Sequence, residues 1–288
     1  MEAMLYEKLS NQHVKCLVCN HYCILKKGQR GICGVRENID GKMHILNYGK
    51  AVSSSIDPIE KKPIHYFLER TNTYSFAAVG CNMKCPWCQN YLISQSPKPR
   101  KNIAGRNVSP REHVDNAIYY KCPSVSYTYS EPTIFLEYAY DTMKLARAEG
   151  LKNIWVTNGY MSKETLDLIL PLLDAANVDY KGQGEVYEKY CSGNALKILE
   201  NMKRMKEAGI HLEVTTLIIP GLNDSPVQIE DIANDLLKYL GRDTPWHITR
   251  FYPAYKMKDL PMTPKETLIM ARKIGHDVGL KRIILGNI

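Results

Sequence analysis

The stretch that most constrains what this chain can fold into is Cys81-Asn82-Met83-Lys84-Cys85-Pro86-Trp87-Cys88, three thiols within eight residues in the spacing C-x3-C-x2-C. It follows residues 73–80, an apolar and β-branched run ending in Gly80, which reads as a buried strand closed by a glycine turn. Thiolates on one short loop can all turn toward one point. A four-iron cluster is normally held by four cysteines. Three leave one iron free to take another ligand, the property of a reactive cluster rather than an electron carrier. The competing readings are a zinc site or buried structural thiols. Zinc expects its remaining ligand from a second close pair, and no close Cys or His pair follows within the next thirty residues.

At 288 residues the chain has room for one large α/β domain, or a domain with a small appendage. No run approaches the ~20 apolar residues of a membrane span. The start, Met1-Glu2-Ala3-Met4-Leu5-Tyr6-Glu7-Lys8, is charged and lacks the apolar core of a signal peptide. The expectation is a cytoplasmic protein, in which nine cysteines serve as metal ligands rather than disulfides. The net charge of +8 comes without a dense Lys/Arg block, which describes a solvated surface with some preference for acidic partners. No nucleic-acid motif is present.

A second cysteine group, Cys16, Cys19, Cys23 and Cys33, lies among Gly28, Gly31 and Gly34. Four thiols with glycine-permitted turns can close a metal site. Either a structural Zn²⁺ or an auxiliary iron–sulfur cluster satisfies this spacing, with zinc slightly favoured. His21 is then a surface or supporting residue. Residues 1–50 form a Cys-rich module, 51–72 a linker packed on the main domain, and 73–288 the main domain. Asp40-Gly41 marks a hairpin between residues 35–38 and 43–48. The polar, proline-marked residues 53–63 read as a wrapping loop.

From Thr73 onward strands and helices alternate. Strands are expected near 73–79, 124–130, 152–157, 176–180, 211–218 and 246–251. Helices are expected near 109–120, 133–149, 163–173, 194–208, 226–240 and 264–278. In 194–208, Leu196, Ile198, Leu199, Met202 and Met205 share one apolar face. Six such units imply parallel strands joined by right-handed crossovers. A dinucleotide-binding sheet lacks its Gly-x-Gly-x-x-Gly. The expected fold is α/β, a partial (β/α)6 TIM-like barrel carrying a small N-terminal four-cysteine metal-stapled module. Chemistry in barrels collects where strands end, and polar residues do cluster there: Ser130, Glu131 and Thr133; Asn158; Asp179 and Lys181; Asn223 and Asp224; Arg250 and Tyr252. Singly, each has an ordinary reading as a cap, turn or ion pair; these five in register, with the cysteine loop as a sixth, do not.

The spacing C-x3-C-x-φ-C, with Trp87 as the aromatic φ, resembles the signature of radical S-adenosylmethionine (radical SAM) enzymes. Residues 88–95, 127–133, 178–182 and 245–253, together with Cys16–Arg36, further resemble the radical SAM protein of the AmmeMemoRadiSam system, a group related to pyruvate formate-lyase activating enzymes. The likeness covers nearly the whole chain. It implies a [4Fe–4S] cluster on Cys81, Cys85 and Cys88, with S-adenosylmethionine (SAM) chelating the fourth iron. Reductive cleavage would give a 5′-deoxyadenosyl radical that takes hydrogen from a substrate. By the same likeness Glu131, preceded by Ser130, receives the methionine amino group. Trp87 lies by the adenine, and Ile219, Pro220 and Gly221 flank it. Asn158 approaches the ribose or methionine portion, and Asp179 and Lys181 contact SAM. Arg250 and Tyr252 face the substrate, while His247 packs within its strand.

Two departures stand out. Val156 occupies the position of an aspartate associated with a monovalent cation, and the chain stops at Ile288 where related sequences carry a cysteine-bearing tail. Cys122 and Cys191 belong to neither group and read as small buried residues. The implied partners are SAM, an electron donor such as ferredoxin or flavodoxin, and an unidentified substrate. Within that reading, an activase making a glycyl radical on a partner protein stands beside a small-molecule enzyme. From a different class, a non-catalytic zinc-binding scaffold also accommodates both cysteine groups.

Overall fold

The computed structural model describes residues 1–98 and 102–288. Its centre is an eight-stranded sheet whose spatial order follows the chain. The strands are β1 (Ser53–Pro58), β2 (Asn72–Ala77), β3 (Ser124–Tyr127), β4 (Lys152–Thr157), β5 (Ala175–Asp179), β6 (His211–Ile218), β7 (Trp246–Arg250) and β8 (Ile283–Gly286). From β2 to β8 every neighbour is parallel; only β1 is antiparallel, against β2. Between the parallel strands run α1 (Pro110–Tyr119), α2 (Leu136–Ala148), α3 (Lys163–Ile169), α4 (Ala195–Glu207), α5 (Pro226–Leu240) and α6 (Lys265–Val278). A sheet that advances one strand at a time with crossovers of one hand puts its helices on one face and curls around the other. This is the expected partial barrel, extended by β8.

Alternation along the strands separates the two faces. One row, Phe76, Tyr127, Trp155, Val178, Val214 and Ile248, is wholly buried. Phe76 stacks on His113 of α1 and meets Tyr138 of α2 edge-on. The alternate row is mostly small or polar: Thr73, Ser75 and Ala77; Ser124 and Ser126; Asn177 and Asp179; Glu213 and Thr215; His247 and Thr249, with Ile154, Val156 and Leu217 as its larger apolar members. Polar members of this row bond to each other, Thr73 Oγ1 to Ser126 Oγ at 2.7 Å and Thr215 Oγ1 to Asn177 Oδ1 at 2.8 Å.

Residues 53–63, expected as a loop, instead open with β1. An edge strand needs no apolar side chains on both faces, and Ser53, Ser54 and Ser55 give no apolar alternation to read. Pro58 ends it, as proline can at an edge. The segment after it stoppers the inner face. Ile59 and Ile64 pack on Ile154 and Ala175, and Pro63 O accepts from Asn177 Nδ2 at 2.7 Å. Glu213 Oε1 accepts the amides of His65 and Tyr66, each at 2.8 Å.

Other boundaries shift for local reasons. β3 stops at Tyr127 because Tyr129 takes a left-handed φ of 61°. The helix expected from 133 begins as a 3-10 turn, Pro132–Phe135, before α2. α3 ends at Ile169; Leu170 still has helical backbone angles and donates to Leu166 O, but Pro171 has no amide N–H to carry the ladder further. The expected hairpin forms as Arg36–Ile39 with Lys42–Ile45, and Asp40 and Gly41 both have positive φ, as a type I′ turn requires.

The N-terminal residues also form a three-stranded antiparallel sheet, Tyr6–Lys8, Val14–Cys16 and Ile24–Leu25. They dock through Arg36, whose Nη1 donates to Glu137 Oε1 of α2 at 3.0 Å and Nη2 to Oε2 at 2.5 Å, with both residues buried. The loop after Cys16 docks through Leu17 O, Val18 O and Asn20, bonded to Ser162, Thr165 and Met161.

Glu213 yields a test. Burial works to raise its pKa, but bonds from His211, His247 and the Tyr66 amide outweigh it and depress the pKa from 4.5 to about 2. A depressed carboxylate stabilises the fold above its unfolded pKa and loses that contribution as pH falls through the folded value. Glu213→Gln is expected to lower stability at pH 7 by about 1–3 kcal/mol, the cost of buried donors left short of an acceptor. It should also flatten the loss of stability between pH 4.5 and 2. Urea midpoints across that range check both.

Candidate functional site

A cavity of about 360 Å³ opens on the inner face at the C-terminal ends of the strands. Gly80, with φ 110°, turns the chain out of β2 and into the cysteine loop. A Cβ there would stand 2.9 Å from Val35 and 3.0 Å from the carbonyl of Cys33, so only glycine admits the N-terminal module this closely. Cys81, Cys85 and Cys88 line the cavity together with Trp87. The loop is tied by its carbonyls: Lys98 Nζ donates to Cys81 O at 2.6 Å and to Met83 O at 3.3 Å, and Gln95 Nε2 to Met83 O at 3.1 Å. His21 Nε2 lies 2.8 Å from Asn82 O. The sulfurs are met as well. The Met83 amide is 3.3 Å from Cys81 Sγ, Ser94 Oγ 3.3 Å from Cys88 Sγ, and Cys191 Sγ 3.3 Å from Cys85 Sγ. Burial raises the thiol pKa of Cys81 and Cys88; for Cys85 the Cys191 contact contributes most, then burial.

Four other strand-end residues named from the sequence line the same cavity: Glu131, Asn158, Asp179 and Lys181. Glu131 Oε1 accepts from the Thr133 amide (3.0 Å), Thr133 Oγ1 (2.6 Å) and Thr157 Oγ1 (2.7 Å), whereas Oε2 accepts only the Asn158 amide (2.8 Å). Burial nevertheless leaves its pKa raised. Asn158 Nδ2 donates to Asn82 Oδ1 at 2.8 Å, joining the β4 end to the cysteine loop. Lys181 is buried against Asp179, 3.1 Å away. Burial alone would lower its pKa; Asp179 and the neighbouring Tyr187 and Cys85 reverse that. Tyr187 fixes this turn, its hydroxyl accepting the Lys181 amide at 3.0 Å and donating to Asp179 O at 3.1 Å. Ser130 lines the cavity too, though its hydroxyl is spent on Ala78 O. Val156 contributes only apolar wall.

Three named residues stand outside the lining. Ile219 would face inward by strand parity, but the strand has ended and Asn223 Oδ1 holds its amide at 2.7 Å, leaving the side chain buried elsewhere. Arg250 Nε donates to Thr263 O at 2.5 Å, and its guanidinium lies 5.7 Å from the Tyr252 ring. Tyr252 OH donates to Asn287 O at 3.0 Å. Tyr252 reaches the cavity only indirectly, its carbonyl accepting from lining residue Gln89 at 3.0 Å. His247 is also outside, its Nε2 2.6 Å from Glu213 Oε2.

Sequence reasoning missed the wall built by β1. Asp57 accepts from Lys62 Nζ at 2.7 Å and from the Tyr129 hydroxyl, and Lys62 lies 4.4 Å from the Tyr129 ring centre. Lys61, Lys62 and Tyr129 line the cavity. Tyr129 also takes a left-handed φ of 61°, a backbone strain of the kind that gathers at functional sites, which nothing in the sequence announces. Lys98 carried no signal beyond its charge.

The four N-terminal thiols converge on a separate closed space of about 10 Å³, with His21 and Arg36 in its wall. Burial pushes the Cys16 thiol up to about 11, against the pull of Arg36. Arg36 Nε is buried without a hydrogen-bond partner. Among the described residues no three His, Cys, Asp or Glu side chains stand close enough to hold a single metal ion as they are. Thiolates that clasp a cube of four irons stand farther apart than ligands on one ion.

Residues 77–236 match the family model described as the Radical SAM superfamily. An uncharacterized protein of Methanocaldococcus jannaschii is 46% identical over 287 residues, covering 100% of this chain and 85% of that one. A putative glycyl-radical enzyme activating enzyme of the same organism is 27% identical over 199 residues, 65% of this chain and 77% of that one. Among solved structures, a radical SAM methyltransferase from Sphaerobacter thermophilus superposes with a TM-score of 0.56 at 15% identity, over 76% of this chain and 67% of that one.

Proposed function

The chain belongs to the radical SAM superfamily, and we propose that it cleaves SAM reductively and uses the resulting radical to take hydrogen from a substrate. One observation carries this reading: three loop cysteines and the SAM-side residues Glu131, Asn158, Asp179 and Lys181 line a single cavity. Cys81, Cys85 and Cys88 would hold a [4Fe–4S] cluster, and the donors beside their sulfurs fit thiolates that have released their protons on binding iron. When bound, the cluster supplies the electron that splits SAM into methionine and a 5′-deoxyadenosyl radical.

The protein's own part is binding and orientation. Glu131 Oε2 has lone-pair capacity left for an ammonium group. Asp179 and Lys181 offer an acceptor and a donor on the adjacent strand end. Trp87 lines the cavity as a buried apolar wall, and the stopper of residues 59–66 packs the far end of the inner face. A cavity of about 360 Å³ is near the small end for a ligand site. Once SAM fills it, the substrate must meet the radical at the mouth. That favours an activase acting on a segment of a partner protein, a reading also supported by the relative named as a putative glycyl-radical enzyme activating enzyme. On residues 88–95, 127–133, 178–182 and 245–253 we assign the chain to the AmmeMemoRadiSam radical SAM group. A low-potential donor such as ferredoxin or flavodoxin, in the cytoplasm, completes the scheme.

We further propose that Cys16, Cys19, Cys23 and Cys33 hold a metal–thiolate centre. The orphaned Nε of Arg36, in the wall of their closed space, supports it: a bound thiolate set supplies the negative acceptor that this buried donor lacks.

Anaerobically reconstituted protein is expected to hold at least the four irons of one cluster and to release 5′-deoxyadenosine only with dithionite. C81A/C85A/C88A should lose both. Well-loaded protein that never cleaves SAM would sink the enzyme reading and favour the scaffold. Glu131→Gln should weaken SAM binding in equilibrium dialysis about 10- to 100-fold, the worth of one charge-assisted hydrogen bond. In C16A/C19A, elemental analysis should show loss of zinc or of iron beyond the first four; unchanged metal content removes the N-terminal centre.

A further inference from the structure

Two of the three thiols on the cysteine loop have a hydrogen-bonding partner close by in the chain, Cys81 in the Met83 amide (with Asn158 Nδ2 a longer 3.8 Å away) and Cys88 in Ser94. Cys85 finds its partner 106 residues away, in the sulfur of Cys191 at 3.3 Å. Cys191 is fully buried and closes a π-helical turn, Val186–Cys191. Such turns are rare and collect at functional sites. This one directs two residues at the same centre: Tyr187 clamps the Asp179–Lys181 turn, and Cys191 meets Cys85. The arrangement is held from both sides. Cys191 O accepts the Lys84 amide at 3.1 Å, from within the cysteine loop, and Tyr187 O accepts the Gly193 amide at 3.1 Å, after Ser192 has turned left-handed at φ 61°. A residue that only filled space would need none of this aim.

We infer that Cys191 tunes the reduction potential of the cluster by donating its S–H to the sulfur of Cys85. The inference rests on the radical SAM reading. A cysteine that ligates iron carries no proton, so the only proton left in the pair belongs to Cys191 and the direction of the bond is fixed. Hydrogen bonds to ligating sulfurs are among the protein's means of setting such potentials. A donor here draws electron density from the thiolate, favours the more negative reduced state and makes reduction easier. Cys191 touches neither SAM nor substrate; it acts through Cys85.

The test is an EPR-monitored redox titration of reconstituted wild type, C191A, C191V and C191S in the absence of SAM, with iron counted in each. C191A, and C191V which fills the volume without a donor, should load the cluster yet show a reduction equilibrium constant threefold to tenfold smaller, tenfold corresponding to 59 mV for a one-electron couple. C191S keeps a donor and should stay within threefold of wild type. Unchanged potentials in C191A and C191V overturn the inference. So do equal shifts in all three variants, which mark a packing role, or loss of loading in all three, which marks an assembly role. Wild type that shows no four-iron signature overturns the radical SAM reading instead, so the two failures are distinguishable.

Discussion

A buried carboxylate sets the geometry on which the cavity depends. Glu131 follows β3 and binds Thr157 and Asn158 at the end of β4, as well as Thr133 at the start of its own helical turn. Removing a carboxylate from water opposes its ionised form, and the raised pKa shows that burial dominates even with these donors in place. The donors are unevenly divided: Oε1 takes three and Oε2 one. A group held this way cannot swing, and its less satisfied oxygen belongs to a residue that lines the cavity. From Asn158 the constraint passes to Asn82 and so to the cysteine loop. The cysteine loop and the end of β4 are thus referenced to one fixed carboxyl group.

The far wall depends on a segment that is neither loop nor linker in its action. β1 closes the free edge of β2, the residues after it stopper the inner face on Ile154, Ala175 and Glu213, and Lys62 then turns back to Asp57 and Tyr129 at the cavity. Three tasks fall to about fifteen residues because the inner row of β2 and β3 is small. Thr73, Ser75, Ser124 and Ser126 leave space that a conventional barrel would fill with branched side chains. The same smallness makes room for a ligand above and demands a stopper below.

Much of the site was legible because its residues break a strong local pattern. Cys81, Cys85, Cys88, Glu131, Asn158, Asp179 and Lys181 are polar groups placed where apolar strands stop, and strand succession in a parallel barrel brings those ends together. β1 was not legible, since a serine-rich edge strand has no apolar period. Lys62 and Lys98 were not, since one lysine reads like any other until the fold buries it. Ile219, placed beside the adenine by resemblance alone, lies outside the cavity lining, its amide held by Asn223. Cys191 read as filler because a π turn leaves no periodic trace.

The two cysteine groups, separate in sequence, are one mechanical unit. Cys33 O and Val35 press on Gly80 at the point where β2 becomes the cysteine loop, and His21, set between Cys19 and Cys23, reaches Asn82 O inside that loop. Val18 O, one residue before Cys19, accepts Thr165 Oγ1 of α3. The part of the chain that carries the four N-terminal thiols is thus in direct contact with the loop that carries Cys81. Glycine at position 80 permits that contact, since a Cβ there would stand 2.9 Å from Val35 and 3.0 Å from Cys33 O. The N-terminal module is part of the cysteine loop's support together with Lys98 and Gln95, which hold the loop carbonyls, and Lys98 itself packs beside Gly34 of that module.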